Sequence, residues 1–334
     1  MMPRTVVIST GHYVPERVLT NDELTQWWDT SDEWIQERTG IVKRHWVQPG
    51  QQAGSDLALE ATKIALDRAG MQASEIDCII FATLSPDYFF PGGGVYLQRK
   101  LGIPGVPAMD IRNQCTGFLY GLSVADAWIR MGQYRRILLV GAEVHSTGMD
   151  LGPNGRDLGV LFGDGAGVAI LGPADDDSGR GVMSTHLYAD GKYAEMLWCE
   201  SDASANFPRI SHDDLDAGKH YPTMQGRQVF KHAVTRMPES VRTALDTHGL
   251  TVGDIDLLVA HQANLRINQM VANELGVPAD RVYNNIERFG NTTAATIPIC
   301  LDECVQSGRL SEGDLLVMTG FGSGFTWGSA IMRW

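Results

Sequence analysis

With 334 residues, 43% hydrophobic and 20% charged, the chain can bury a sizeable core, and no apolar run reaches the roughly 18 residues of a membrane-spanning helix. A formal net charge of −13 works against a nucleic-acid partner, whose phosphates need a basic face. Five cysteines, an odd number, argue against a disulfide framework, and the start "MMPRTVVISTGHYVPE" lacks the apolar region of a secretory leader, so a cytoplasmic protein is expected.

In chain order, "SDLALEATKIALDRAG" predicts an amphipathic helix, followed by an acidic turn and the buried strand "CIIFA", which absorbs Cys78 as core. "FPGGGVYLQ" has no Lys-Ser/Thr after its glycines and is not a phosphate loop. In "DIRNQCTGFLYGLSVAD" (Asp110 to Asp126) a strand-like segment gives way to a helix, because Phe118, Leu119, Leu122, Ala125 and Ile129 recur at helical spacing. Cys115 stands at that junction. It is either a small core residue or a nucleophile whose thiolate is stabilised by the unpaired N–H groups of a helix start.

Further on, "FGDGAGVAIL" lacks the spacing and downstream acid of a dinucleotide site and predicts a tight turn holding two halves close. "GPADDDSGRG" (Gly172 to Gly181) predicts a surface crossover. "CESDASANFPRISHDDLDAGKHYP" (Cys199 to Pro222) is long for a loop in a compact domain; a border of the substrate entrance and a solvated surface loop fit it equally. Cys199 itself carries no signal. Cys300 and Cys304, four apart on a predicted helix, lack the companions of a zinc set, so core packing is expected and no metal. The glycines of "GFGSGFTWG" (Gly320 to Gly328) let backbone N–H groups approach a ligand, as an oxyanion-hole wall requires.

The chain also repeats itself. "ASEIDCIIFATLSPD" matches "VGDIDLLVAHQAN", "LQRKLGIP" matches "VANELGVP", and "GQYRRILLVGAE" matches "GRLSEGDLLVMTGFG". Asp77 to Ile137 spans 60 residues and Asp256 to Leu315 spans 59. Alternating helices and short apolar strands predict an α/β fold with mostly parallel sheets, in two halves, 1–175 and 180–334, about a pseudo-twofold axis. Cys115 lies 38 residues after Asp77, and Asn291, in "RFGNTTAATIP", lies 35 after Asp256, so both sit at nearly matching helix starts. His261 follows the strand "LLVA" at its carboxyl end, where α/β sheets present their sites.

Cys115, His261 and Asn291 supply a nucleophile, a ring that handles protons or hydrogen bonds, and an amide donor, as acyl transfer from a thioester requires. Asn291 taken alone would be a turn or cap residue. The same three residue types, in the same order, serve papain-like hydrolases, against which the duplicated register argues. A non-catalytic binding protein is the third alternative, disfavoured by the presence of all three residues.

"TNDELTQWWDTSDEWIQERTGI", "LSPD", "QCTGFLYGLSVAD", "FGDGAG", "ADG", "HQANLRI", "FGNTTAA" and "GSGFTWGSA", in this order, resemble the thiolase-fold condensing enzymes, specifically the β-ketoacyl-(acyl carrier protein) synthase III family, along the whole chain. The resemblance implies a five-layered αβαβα thiolase fold and a homodimer. It implies that Cys115 accepts the acyl group, that His261 and Asn291 form the hydrogen-bonding pair of a decarboxylation step, and that the N–H groups of Cys115 and Ser323 form the oxyanion hole. The family commonly has Gly where Ser323 stands. Trp34, Arg38, Arg156, Phe230 and Asn264 fall where the family grips coenzyme A, Arg266 where it docks acyl carrier protein, and Phe90 where it shapes the acyl tunnel from across the dimer.

The reaction implied is acylation of the cysteine by acyl-CoA, then decarboxylative Claisen condensation with malonyl-acyl carrier protein, initiating fatty acid biosynthesis with no cofactor. Two features depart from the common pattern, the polar "DIRNQC" before the nucleophile and the long Cys199 to Pro222 segment. They leave open a specialised condensing enzyme of secondary metabolism, of the quinolone, dialkylresorcinol or head-to-head ketone type, using malonyl-CoA or another thioester.

Overall fold

The computed structural model describes residues 3–174 and 179–334; residues 175–178, the middle of the acidic crossover, lie outside the described residues. The first five-stranded sheet contains β1 (Thr5–Tyr13), β2 (Cys78–Ala82), β3 (Ala108–Ile111), β4 (Ile137–Glu143) and β5 (Gly165–Pro173), in the order β1-β5-β4-β2-β3. The second contains β6 (Gly181–Ala189), β7 (Leu257–Ala260), β8 (Val282–Tyr283), β9 (Leu315–Gly322) and β10 (Thr326–Arg333), in the order β6-β10-β9-β7-β8. Each strand of one sheet has a counterpart five numbers on in the other. The pairing directions match too: β1-β5 and β5-β4 are antiparallel, as are β6-β10 and β10-β9, and the remaining pairs are parallel. The sheets are therefore mixed rather than mostly parallel. The turn from β9 to β10 is too short for the crossover that a parallel neighbour would need.

Six helices complete the layers: α1 (Gly54–Ala69), α2 (Gly93–Leu101), α3 (Gly117–Arg130), α4 (Gly226–Thr247), α5 (Leu265–Leu275) and α6 (Thr296–Gln306). Leu57 of α1 and Leu97 of α2 pack on the outer face of the first sheet with Ile79 and Phe81. Val241 of α4 and Val271 of α5 do the same for the second, with Leu258. Between the sheets, Phe118 and Leu122 of α3 share one cluster with Cys300 and Leu301 of α6, Ile80 and Leu257. The result is five layers, αβαβα. α3 and α6 are apolar because both their faces meet a sheet. Cys78, Cys300 and Cys304 lie in this core.

Equivalent hydrogen bonds fix the register of the repeat. The Asp77 carboxylate accepts from the Arg136 N–H, and the Asp256 carboxylate from the Leu315 N–H, each across 59 residues. The one-residue mismatch read from strand starts disappears. In this register the counterpart of Cys115 is Ala294: each follows a residue in the left-handed region, Gln114 at φ 44° and Thr293 at φ 49°. Asn291 lies three residues ahead of that counterpart. The two turns cross over. A β-carbon at Gly141 of β4 would stand 2.2 Å from the Ala294 carbonyl oxygen, while Gly320 of β9 faces the Cys115 carbonyl at 3.6 Å. Each half's turn thus rests on the other half's central strand, and Cys115 sits at the join.

Both internal Gly-rich stretches have structural work. The Gly93 and Gly94 N–H groups, at the start of α2, donate to Asp110 at 2.6 and 2.9 Å, filling the place a phosphate would take. In "FGDGAG", the Gly163 N–H donates to the Asn291 carbonyl at 3.1 Å, and the Asn291 N–H to the Leu161 carbonyl at 2.8 Å, so this turn joins the halves. Among the described residues, no helix is long and apolar enough to cross a membrane, and no group of three His, Cys, Asp or Glu is arranged to hold a metal.

Candidate active site

Cys115 occupies the 3-10 turn Gln114–Thr116 immediately before α3, where the chain leaves β3 and must reverse. Its own N–H and that of Ser323 face the sulfur. Such paired donors are what an oxyanion needs. Gly322 makes the approach possible: a β-carbon there would lie 2.7 Å from that of Cys115 and 3.1 Å from Sγ. The Ser323 hydroxyl donates to the Leu197 carbonyl, so that side chain is tied to the neighbouring strand.

The thiolate expected at a helix start is not favoured. Burial pushes the Cys115 thiol up to about 12, the Glu143 carboxylate adds to the rise, and the two N–H groups pull against it. Desolvation wins, and the sulfur is a thiol at neutral pH. Glu143, whose charge acts on that sulfur, is a buried titratable neighbour that the motifs did not flag. It ends β4, is fully buried, and accepts from the Thr83 and Ser85 hydroxyls and the Leu84 and Ser85 N–H groups. Burial raises it to about 7 against those hydrogen bonds. A carboxylate inside the otherwise apolar "ILLVGAE" was the available signal.

His261 follows β7, its N–H bonded to the Thr319 carbonyl at 2.8 Å. Burial drives its pKa down to about 3, so the ring is neutral. Nδ1 meets the Thr296 hydroxyl at 2.7 Å, and Nε2 is buried with no partner among the described residues. The Asn291 carboxamide oxygen accepts from the Thr293 N–H at 2.9 Å, which leaves its NH2 group uncommitted. Cys115, His261 and Asn291 line one cavity of about 540 Å³.

That cavity also brings together Trp34, Arg38, Arg156, Phe230 and Asn264. The Arg38 and Arg156 guanidinium carbons lie 4.6 and 4.8 Å from the Trp34 ring centroid, an arrangement that presents cations beside a stacking face. Asn264 caps α5 and donates to the Arg38 carbonyl at 2.9 Å, so it braces the wall as well as lining it. Arg266 is exposed on the first turn of α5, outside the cavity lining.

A second cavity, of about 430 Å³, meets the first at Cys115, Phe162 and Leu197. Cys199, Ser201, Asp202 and Pro222 line it, so the long segment borders the site rather than lying free in solvent. Phe89 lines it, whereas Phe90, 77% exposed, reaches neither cavity of its own chain.

A buried cysteine with two backbone donors, at the meeting point of two cavities in a duplicated αβαβα fold, defines a thiolase-fold acyltransferase. Residues 109–191 match the family model described as 3-oxoacyl-[acyl-carrier-protein (ACP)] synthase III, and residues 245–334 its C-terminal counterpart. A β-ketoacyl-[acyl-carrier-protein] synthase III of Xanthomonas campestris pv. campestris is 44% identical over 98% of both chains. Among solved structures, the 3-oxoacyl-(acyl carrier protein) synthase III of Pseudomonas aeruginosa superposes with a TM-score of 0.89 at 39% identity, covering 99% of this chain and 98% of that one. The priming β-ketosynthase of the R1128 polyketide pathway does so with 0.88 at 32%, covering 99% and 97%. The chain belongs to the β-ketoacyl-acyl carrier protein synthase III family.

Proposed function

We propose that the chain performs the initiating condensation of fatty acid biosynthesis. An acyl-CoA enters along the Trp34 cavity. Cys115 Sγ bonds to the acyl carbon, the CoA sulfur leaves, and the thiol proton ends on the CoA thiolate. The acyl group then occupies the second cavity. Malonyl-acyl carrier protein, guided by Arg266, presents its thioester to His261 Nε2–H and the Asn291 NH2, which hydrogen-bond its carbonyl oxygen. Loss of CO2 leaves an enolate held by those donors. Its carbon attacks the acyl-cysteine, the Cys115 and Ser323 N–H groups carry the tetrahedral oxyanion, and collapse expels the cysteine sulfur with a β-ketoacyl product. Each such donor is worth roughly 3 kcal/mol of transition-state stabilisation.

The observation that carries this reading is the pairing of two uncommitted groups, His261 Nε2 and the Asn291 NH2, in one cavity with a cysteine whose sulfur faces two N–H groups. The reaction so written calls on no cofactor. The working form is a homodimer in which exposed Phe90 serves the neighbouring copy, and the substrates belong to the cytoplasm. Intact-mass measurement tests the reading: wild type gains one acyl adduct from acyl-CoA and yields a β-ketoacyl product with malonyl-acyl carrier protein, whereas Cys115→Ala gains no adduct. A product formed only from malonyl-CoA would transfer the assignment to the specialised condensing enzymes, a reading that the likeness to the R1128 priming enzyme favours.

A further inference from the structure

The second cavity is not a plain apolar sleeve. Ser201 is only 6% exposed, and its hydroxyl has no partner among the described residues. His145, also 6% exposed, bonds the Thr293 hydroxyl through Nε2 at 2.7 Å, while its Nδ1 makes no hydrogen bond. The Gln114 carboxamide touches only the Arg112 carbonyl, at 3.5 Å. All three line the cavity beside Phe89, Met149 and Phe162. Of the three, Ser201 Oγ is a buried polar atom without a partner among the described residues, which costs stability, so its place in the wall marks a position that a ligand atom completes.

Resting on the condensing reading above, we propose that the acyl group carried by Cys115 bears an uncharged hydroxyl, which hydrogen-bonds Ser201 Oγ and His145 Nδ1 within the second cavity. The chemistry selects a hydroxyl over a charged group. Burial holds His145 neutral, its pKa driven down to about 3. The charged side chains in the lining, Arg112 and Asp202, are exposed at the rim and opposite in sign. An acyl carboxylate or ammonium would be desolvated without a buried counter-ion. A hydroxyl both donates and accepts, so it satisfies the serine and either tautomer of the histidine. Apolar Phe89, Met149 and Phe162 provide for the hydrocarbon part.

The test is competition for Cys115, read as adduct mass on the intact protein, so that acylation is measured apart from condensation. Hexanoyl-CoA competes in turn with 3-hydroxy-, 5-hydroxy- and 6-hydroxyhexanoyl-CoA and with glutaryl-CoA. At least one hydroxyacyl donor is expected to outcompete hexanoyl-CoA about tenfold, and Ser201→Ala or His145→Leu to bring that ratio towards one. The ratio is internal to each sample, so loss of folded protein does not move it. Failure of every hydroxyacyl donor to outcompete hexanoyl-CoA, preference for glutaryl-CoA, or a ratio unmoved by both substitutions overturns the inference. Adducts that never yield product with malonyl-acyl carrier protein overturn the condensing reading and leave the acyl preference to be read; no adduct from any donor overturns both.

Discussion

At Cys115 two influences compete, and their balance sets a pH dependence. Burial with Glu143 alongside holds the thiol near 12, above the two N–H groups that favour the anion. The thiolate fraction therefore grows about tenfold per pH unit through the neutral range. Stopped-flow release of CoA from acyl-CoA is expected to accelerate from pH 6 to 9, less steeply near 7, where Glu143 itself ionises. A rate independent of pH would mean that the proton moves to His261 during attack. Malonyl decarboxylation should stay flat over the same interval, because His261 remains uncharged far above its value of about 3. Which nitrogen of that ring bears the proton depends on Thr296. Its hydroxyl reaches both His261 Nδ1 and the Thr293 carbonyl, which the Thr296 N–H already serves. Donation to Nδ1 leaves Nε2–H for the thioester. Thr296→Val should slow decarboxylation ten- to a hundredfold, roughly the cost of losing a group that orients a histidine, while acylation by acyl-CoA is less affected. Equal losses in both half-reactions would deny Thr296 this orienting role.

Among elements, the crossing of the two turns over the opposite central strands is the feature that assembles the site. Its tightest point is Gly141, where a β-carbon meets backbone rather than a movable side chain. Gly141→Ala should lower stability by about 1–3 kcal/mol, the usual cost of overpacking, measured as a shift in the urea midpoint. An unshifted midpoint would mean that the turns can part without penalty. These elements also explain which residues could be read in advance. The core role of Cys78 followed from an unbroken apolar run, and α3 from its spacing. Ser201 and His145 gave no such signal, because what distinguishes them is an absent partner, and partners are assigned only when distant segments meet.

At the scale of the whole molecule, a buried carboxylate on α6 ties the second half to the first. Asp302 of α6 accepts from Thr10 of β1 at 2.7 Å and pairs with His12 at 2.6 Å and Arg68 of α1 at 2.5 Å. Burial alone would raise Asp302, yet the bonds from His12 and Thr10 and the charges of His12 and Arg68 bring it below its usual 3.8. A depressed carboxyl adds stability above its unfolded value and loses it as the pH falls through the folded one, so this contribution persists from neutral pH down to about 4 and vanishes in stronger acid. Asp302→Asn should cost about 3–5 kcal/mol at pH 7, and the gap from wild type in thermal melts should narrow below pH 4. A constant gap would mean that packing, not charge, makes the link.

The sequence already carries the duplication, the α/β class, the cysteine at a strand-to-helix junction and the histidine at a strand end, because periodicity and spacing are local and survive in one dimension. It misjudged the direction of the sheet edges and the charge of the sulfur. Those are settled in the folded chain, since a strand's partner and a group's loss of water both depend on residues far away in the chain. The same holds for the exact counterpart of Cys115, Ala294, and for the polar wall of the second cavity: each exists only where the two halves close on one another.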